Sequence, residues 1–343
     1  MRTPLASPKA YIREIDWHEK TARLLMMSRA HYVRSSFLDH RTQAAGPEKT
    51  IPLAELKHQL AELPKPHKGP HFIFHTTFCG STLLSRCLDR VGICLAYKEP
   101  YLLHDLAFRA RSRWILKGQI DLTEYMNIAL LLLSRTYRHS ERALIKPSDS
   151  CNNLAVTLLQ AHETSRALLL YSDLDSFVVS NLHHVSRRLH LFNSLERACY
   201  DLHQLGFPDF DPNITDPARA AATVWLSLMM QHLAVLEETS LEVRSLDSAE
   251  FYARPFETLQ AASAFFDLAH RPADLQREVE KGAFKQDAKK QDQTYDSGQA
   301  EQRRAAQRAG LETVMAEAEL WVQRLTPERA LPRKLPRALL TSA

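Results

Sequence analysis

Short apolar runs alternate with longer amphipathic stretches through the middle of the chain. Five runs of nearly continuous apolarity are typical of strands that are covered on both faces: 71–75, 93–97, 143–146, 167–171 and 241–246. Between them the pattern predicts helices over 123–139, 152–162, 175–189 and 218–238. This alternation predicts an α/β fold, a doubly wound and mostly parallel sheet of about five strands.

The two ends of the chain have other patterns. Residues 1–68 are predicted to form an N-terminal extension with short strands at 22–28 and 30–38 and a short helix at 53–63. Residues 69–326 are predicted to form the main domain, whose last third contains helices at 255–268 and 299–325. The final stretch, 327–343, is a basic tail that contains prolines, and we expect it to be solvated.

Composition excludes several classes of protein. The 44 Lys and Arg residues nearly balance the 40 Asp and Glu residues. The sequence lacks the concentrated basic stripe that is typical of nucleic-acid binders, so we expect no nucleic-acid partner. The longest apolar runs fall short of the ~20 residues that a membrane helix needs, and the N-terminus lacks the apolar core of a signal peptide. Five cysteines without a CxxC pair predict free thiols in a reducing compartment, the cytoplasm. No zinc-site motif is present, so we expect no metal.

Candidate chemistry lies in the segment 71–88. An apolar strand runs into the small-residue turn Cys79-Gly80-Ser81-Thr82 and then into an amphipathic helix. Gly80 can adopt positive φ and lets a ligand approach the backbone. The amides from Gly80 to Leu83 lie at a helix N-terminus, where unpaired donors and the helix dipole attract an anion. The segment therefore predicts a phosphate-binding strand–loop–helix, with an ordinary serine-capped turn as the alternative.

Three loop chemistries compete for this segment. A Walker A loop requires G-x-x-x-x-G-K-[ST], whereas this chain has His75 in place of the first Gly and Ser81 in place of the Lys, which disfavours a nucleotide kinase. A cysteine phosphatase would use Cys79 as a thiolate, but Arg86 follows it after six intervening residues and not five. The third is the loop that binds the 5′-phosphosulfate of a sulfotransferase donor, which does not need the lysine.

The chain resembles the bacterial, P-loop-type sulfotransferase family across this domain. The hexapeptide CGSTLL at 79–84 resembles the family's S/T-G-S/T-T-L-L, and Lys98-Glu99-Pro100 resembles its R/K-E-P. Lys146 and the proline after it resemble the family's K-x-P. Residues 171–180 have the spacing of R-D-P-x-x-x-x-x-S, and residues 285–296 are similar to the lysine-bearing loop. The resemblance implies transfer of a sulfuryl group from 3′-phosphoadenosine-5′-phosphosulfate to an unidentified hydroxyl or amine acceptor, with no metal.

The resemblance also assigns the residues that would contact the donor: Phe78, Cys79, Gly80, Ser81, Thr82, Leu83, Ser172, Ser180 and Lys289. Two positions depart from the family. Phe78 stands where a Lys or Arg is usual, and Ser172 stands where an Arg contacts the donor's 3′-phosphate. Three explanations remain open: a different nucleotide, replacement cations from elsewhere (Lys98, Lys146, Lys289 or Lys290), or loss of catalysis.

The catalytic roles have alternatives as well. Glu99 is the candidate general base for the acceptor, or it forms a salt bridge with Lys98 or a nearby Arg. Lys146 is the candidate that stabilises charge on the bridging oxygen, or it is a buried lysine paired with Glu99. His75 is either catalytic or a structural histidine at a strand end. The rival to an enzyme is a non-catalytic nucleotide-binding, phosphate-binding or scaffold protein with the same fold.

Overall fold

Eight strands form two sheets in the computed structural model, which describes residues 4–64, 66, 68–112, 121–208, 211–285, 308–327 and 334–340. The strands are β1 (Ala10–Asp16), β2 (Thr21–Met26), β3 (Lys49–Pro52), β4 (His71–His75), β5 (Cys94–Lys98), β6 (Arg142–Lys146), β7 (Arg166–Tyr171) and β8 (Glu242–Asp247). The helices are α1 (Arg29–Arg34), α2 (Leu53–Ala61), α3 (Ser81–Leu88), α4 (Tyr101–Arg111), α5 (Leu122–Leu133), α6 (Ala155–Gln160), α7 (Leu174–Leu182), α8 (Val185–Phe192), α9 (Leu195–Gln204), α10 (Pro217–Glu237), α11 (Ser248–Ala253), α12 (Pro255–Phe265), α13 (Pro272–Glu280) and α14 (Glu312–Leu325).

The larger sheet confirms the predicted fold class. Its five strands are all parallel, in the order β5-β6-β4-β7-β8. From β4 the chain crosses to β5, at one edge of the sheet. From β6 it crosses in the opposite direction, past β4, to β7. The direction of winding therefore reverses beside the carboxyl end of β4, where open α/β sheets bind their ligands.

Helices cover both faces of this sheet. On one face, α3, α11, α12 and α13 enclose a core that includes Ile73, Leu84 and Phe251. On the other, α4, α5, α6, α7 and α10 contribute to a larger core. In the described part of the chain α10 alone is long and apolar enough to cross a membrane, but most of its residues are buried in this core.

The N-terminal module, residues 4–63, folds around the antiparallel sheet β1-β2-β3. Two buried cations of the main domain bind its backbone. Arg135 donates to the carbonyl of Ala10 at 3.0 Å, and the Lys98 ammonium donates to that of Tyr32 at 2.6 Å. Burial lowers the pKa of Lys98 to about 8. Lys98 therefore attaches the N-terminal module to the domain and does not supply a cation to the anion site.

Local structure departs from the sequence prediction in several places. The segment 30–38, predicted as a strand, contains helix α1, because the Ser28 side chain caps it by accepting a hydrogen bond from the His31 amide. The helix predicted over 175–189 is two helices, α7 and α8, and the His184 side chain caps the second. Strand β1 was not predicted, since its polar residues interrupt the apolar pattern.

The described part of the tail, residues 334–340, is attached to strand β8. The Ser245 amide donates to the Arg337 carbonyl at 2.9 Å, and the Leu339 amide donates to the Ser245 carbonyl at 2.8 Å. An ion pair of 2.7 Å between Lys334 and Glu250 adds a side-chain contact. These residues thus cover the outer edge of β8, whereas the sequence predicted a solvated tail.

Candidate active site

The predicted anion loop lies at the carboxyl end of β4. The strand ends at His75, and the loop passes through Phe78 and Gly80 before α3 begins at Ser81. Phe78 (φ 57°) and Gly80 (φ 91°) are both left-handed. Left-handed residues within a turn orient successive amides toward one side and form an anion-binding nest. The first amides of α3 add donors, since they lack a carbonyl partner within the helix.

Two hydroxyls add to the polar character of the loop. Ser81 and Thr82 are only 5% and 7% exposed. Within the described part of the chain neither hydroxyl forms a protein hydrogen bond, although the Thr82 carbonyl accepts one from Ser85. A hydroxyl without a protein partner is available to donate to an anion at the loop.

Cys79 closes the loop and is not a nucleophile. Its thiol is buried and donates to the Thr76 carbonyl at 2.8 Å. Burial raises the pKa of the Cys79 thiol to about 11. A thiol that stays protonated at neutral pH does not suit cysteine-phosphatase chemistry.

Tyr252, on α11, reaches the backbone of the loop from the end of the sheet. A Cβ atom placed on Gly80 would lie 2.8 Å from the Tyr252 hydroxyl oxygen. The position therefore requires glycine for two reasons, its left-handed φ and this contact. Tyr252 was not identified from the sequence, because it is more than 170 residues away from the loop.

Lys146 and Glu99 form an ion pair at the ends of the neighbouring strands β6 and β5. The Glu99 amide donates to the Lys146 carbonyl at 2.6 Å, so the backbones are joined as well. The Lys146 side chain is 1% exposed and that of Glu99 is 22% exposed. Strand β6 pairs in parallel with β4, so Lys146 lies at the strand end next to His75, and its charge acts to lower the pKa of that histidine. Of the partners considered for Glu99, the structure thus favours Lys146 over Lys98.

A segment of the N-terminal module lies beside this ion pair. The Phe37 ring centroid is 6.0 Å from the Lys146 ammonium nitrogen and 4.1 Å from the Arg41 guanidinium carbon. Backbone bonds hold the segment there: the Leu38 amide donates to the Lys98 carbonyl at 2.7 Å, and the Tyr101 amide donates to the Leu38 carbonyl at 3.0 Å. Residues of the predicted extension therefore border the site, which no local sequence pattern indicated.

His75 belongs to a buried polar cluster beneath the loop. Its Nδ1 lies 2.8 Å from the Thr76 carbonyl and its Nε2 lies 3.0 Å from the Pro147 carbonyl. Asn152 donates to the His75 carbonyl at 3.2 Å, and its amide nitrogen lies 3.4 Å from the His232 ring. Burial, reinforced by the Lys146 charge, lowers the pKa of His75 to about 4. The contacts of both ring nitrogens with backbone carbonyls therefore favour a structural histidine at this strand end.

The lowered pKa of His75 predicts a pH dependence of stability. In the unfolded chain the His75 ring takes up a proton as the pH falls below its ordinary pKa of 6.5. In the folded chain the ring takes up that proton only near pH 4. Stability is thus lost as the pH falls through that window, by about 1.4 kcal/mol per pH unit. We expect the free energy of unfolding in urea to fall less steeply between pH 6 and pH 5 in His75→Gln than in the wild type. Equal slopes would contradict a buried neutral His75.

Ser172, Ser180 and Lys289 are the remaining residues predicted to contact the donor, and the structure describes the first two. Ser172 is 4% exposed; its amide donates to the Thr76 hydroxyl and its carbonyl accepts from Trp225. It joins the end of β7 to the start of the anion loop and carries no charge. Ser180 is on α7, and its carbonyl accepts a hydrogen bond of 2.9 Å from Arg187. Lys289, like Lys290, lies outside the described residues.

No family model matches the chain, and no curated protein matches it. It is similar to solved sulfotransferase structures. A sulfotransferase from Alicyclobacillus acidocaldarius is 14% identical over 77% of this chain and 98% of its own, with a TM-score of 0.40. A sulfotransferase from Mycobacterium avium is 13% identical over 76% and 80%, with a TM-score of 0.41. The sulfotransferase domain of the curacin biosynthetic pathway is 16% identical over 64% and 79%, with a TM-score of 0.38.

Proposed function

We propose that this protein is a sulfotransferase-like transferase that moves a sulfuryl group from 3′-phosphoadenosine-5′-phosphosulfate to a hydroxyl or amine acceptor. One observation carries the proposal. An amide nest beside the hydroxyl residues Ser81 and Thr82 lies at the switch point of a parallel sheet, and a carboxylate–ammonium pair occupies the ends of the adjacent strands. The first part suits an anionic donor, and the second suits proton transfer from an acceptor.

The loop would bind the phosphosulfate group of the donor. Amides at the start of α3 and the hydroxyls of Ser81 and Thr82 are donors without a counter-charge, and the helix dipole favours an anion at that end. Ser81 stands where a kinase loop has its lysine, which is the reason that we place sulfuryl transfer ahead of phosphoryl transfer from ATP.

Glu99 and Lys146 would carry the transfer itself. The acceptor oxygen or nitrogen attacks sulfur, and the bond from sulfur to the bridging oxygen breaks. The bonding electron pair leaves with adenosine 3′,5′-bisphosphate, and the Glu99 carboxylate takes the acceptor's proton. The Lys146 ammonium, held beside the loop, stabilises the charge that develops on the bridging oxygen.

A second candidate is a protein that binds the nucleotide without transferring a group. Two observations favour it: Ser172 is buried in contacts with Thr76 and Trp225, and Phe78 brings no cation of its own to the loop. Such a protein would bind adenosine 3′,5′-bisphosphate and leave the phosphosulfate donor intact. Binding measurements together with donor consumption therefore separate the two candidates.

Ligand-induced stabilisation tests the nucleotide class. We expect adenosine 3′,5′-bisphosphate to raise the melting temperature, because a ligand at 100 times its dissociation constant adds about 2.7 kcal/mol to stability. ATP, GTP and inorganic phosphate at the same concentration serve as controls. A rise with ATP alone would overturn the proposal in favour of a kinase.

A further inference from the structure

Arg187, on α8, brings a guanidinium group to the anion loop. Its Cζ atom lies 4.2 Å from the ring centroid of Phe78, and one of its N–H groups donates to the Ser180 carbonyl at 2.9 Å. The loop, α7 and α8 therefore meet at one point, although the sequence separates Phe78 and Arg187 by more than a hundred residues.

The backbone conformation of Phe78 indicates that its contact with Arg187 has a function. A bulky residue at φ 57° is uncommon and costs conformational energy. That conformation belongs to the amide nest, and it also places the ring under the Arg187 guanidinium. One strained residue thus shapes the loop and positions a cation beside it.

Two lysines at the neighbouring strand ends contact other groups. Lys98 donates to the carbonyls of Tyr32 and Val33 in the N-terminal module. Lys146 is paired with Glu99. An anion with more than one negative charge, bound at neutral loop amides, gains from a cation near the loop, and arginine presents a planar fork that matches phosphate or sulfate oxygens.

We infer that Arg187 supplies the positive charge that the loop lacks at position 78, and that the Phe78 ring orients it. Arg187 is a binding residue for a phosphate or sulfate group, and Phe78 is its positioning residue. The inference rests on the anion site of the proposed function, but it holds for a nucleotide-binding protein that transfers nothing.

Calorimetric binding of adenosine 3′,5′-bisphosphate to Arg187→Gln tests the inference. Loss of a charge-assisted contact is expected to raise the dissociation constant about 10- to 100-fold. Arg188→Gln is the matched control, since it removes the same charge from the next residue, whose guanidinium donates to the Leu182 carbonyl at 2.8 Å. We expect that control to remain within about 3-fold of the wild type. Phe78→Leu is expected to give a smaller loss, about 3- to 10-fold, because the guanidinium keeps its charge and loses its support.

The outcomes separate this inference from the proposed function. Equal dissociation constants for Arg187→Gln and Arg188→Gln would overturn the role of Arg187 and leave the anion site intact. A wild-type protein that bound neither adenosine 3′,5′-bisphosphate nor inorganic phosphate would overturn both. Unchanged melting temperatures of the ligand-free variants confirm that a loss of affinity is not a loss of folding.

Discussion

Replacing Gly80 with alanine is expected to weaken the binding of adenosine 3′,5′-bisphosphate at least 100-fold, about the loss of two charge-assisted hydrogen bonds. Alanine at φ 91° pays a left-handed penalty of about 1–2 kcal/mol. Its methyl group would also lie 2.8 Å from the Tyr252 hydroxyl oxygen, so either the tyrosine or the loop backbone must move. A moved backbone no longer directs its amides at one point. Isothermal titration calorimetry measures the affinity, and urea unfolding measures the stability.

Gly206→Ala separates backbone strain from the effect on the site. Gly206 has φ 83°, but a Cβ atom there would meet no atom within 4 Å. It should lose only the stability that the left-handed φ costs and keep the affinity of the wild type. Adding Tyr252→Phe to Gly80→Ala removes the oxygen at 2.8 Å and leaves the ring carbon at 3.3 Å, so affinity should recover in part. Wild-type affinity in Gly80→Ala would contradict an anion site formed by these amides.

The local part of the site was predictable from the sequence because short-range physics determines it. The run His71 to His75 is apolar throughout, as a strand covered on both faces requires, and Gly80 marks the turn into a helix. The resemblance also identified Glu99 and Lys146, whose pairing was one of the alternatives left open. Each of these features depends on residues that are neighbours in the chain or on adjacent strands of one sheet.

The rest of the site depends on contacts between distant segments, which no local pattern predicts. Phe37 comes from the N-terminal module, and Tyr252 comes from the helix after the last strand. Arg187 is on α8, beyond the motif at residues 171–180. Arg187 had one indirect signal, since a replacement cation from elsewhere was one of the three explanations for the aromatic residue at position 78. The sequence offered Lys98, Lys146, Lys289 and Lys290 for that role. Lys98 is buried against the N-terminal module and Lys146 is paired with Glu99, while Lys289 and Lys290 lie outside the described residues.

The ion pair predicts the second large effect. Glu99→Gln removes the proposed proton acceptor, and general bases contribute about 10²- to 10⁴-fold to rate, so transfer from the phosphosulfate donor should fall by that factor. The affinity for adenosine 3′,5′-bisphosphate should change little, because Glu99 does not contact the donor in the proposed mechanism. Unchanged turnover in Glu99→Gln would end its assignment as the base.

Lys146 is more deeply buried than Glu99, so removing either partner should cost a different amount of stability. This difference tests the ion pair without an acceptor substrate. The Lys146 side chain is 1% exposed and that of Glu99 is 22% exposed. Glu99→Gln leaves an unpaired ammonium in the interior. Removal of a partner costs about 3–5 kcal/mol in a fully buried pair, and the partial exposure of Glu99 reduces that cost here. Lys146→Met leaves a carboxylate that water can reach, so its loss of stability in urea should be smaller. The double variant should be more stable than Glu99→Gln alone and no more active, because it removes the uncompensated charge without restoring the base. If Lys146→Met instead proved the less stable single variant, the ammonium would not be the buried member of the pair.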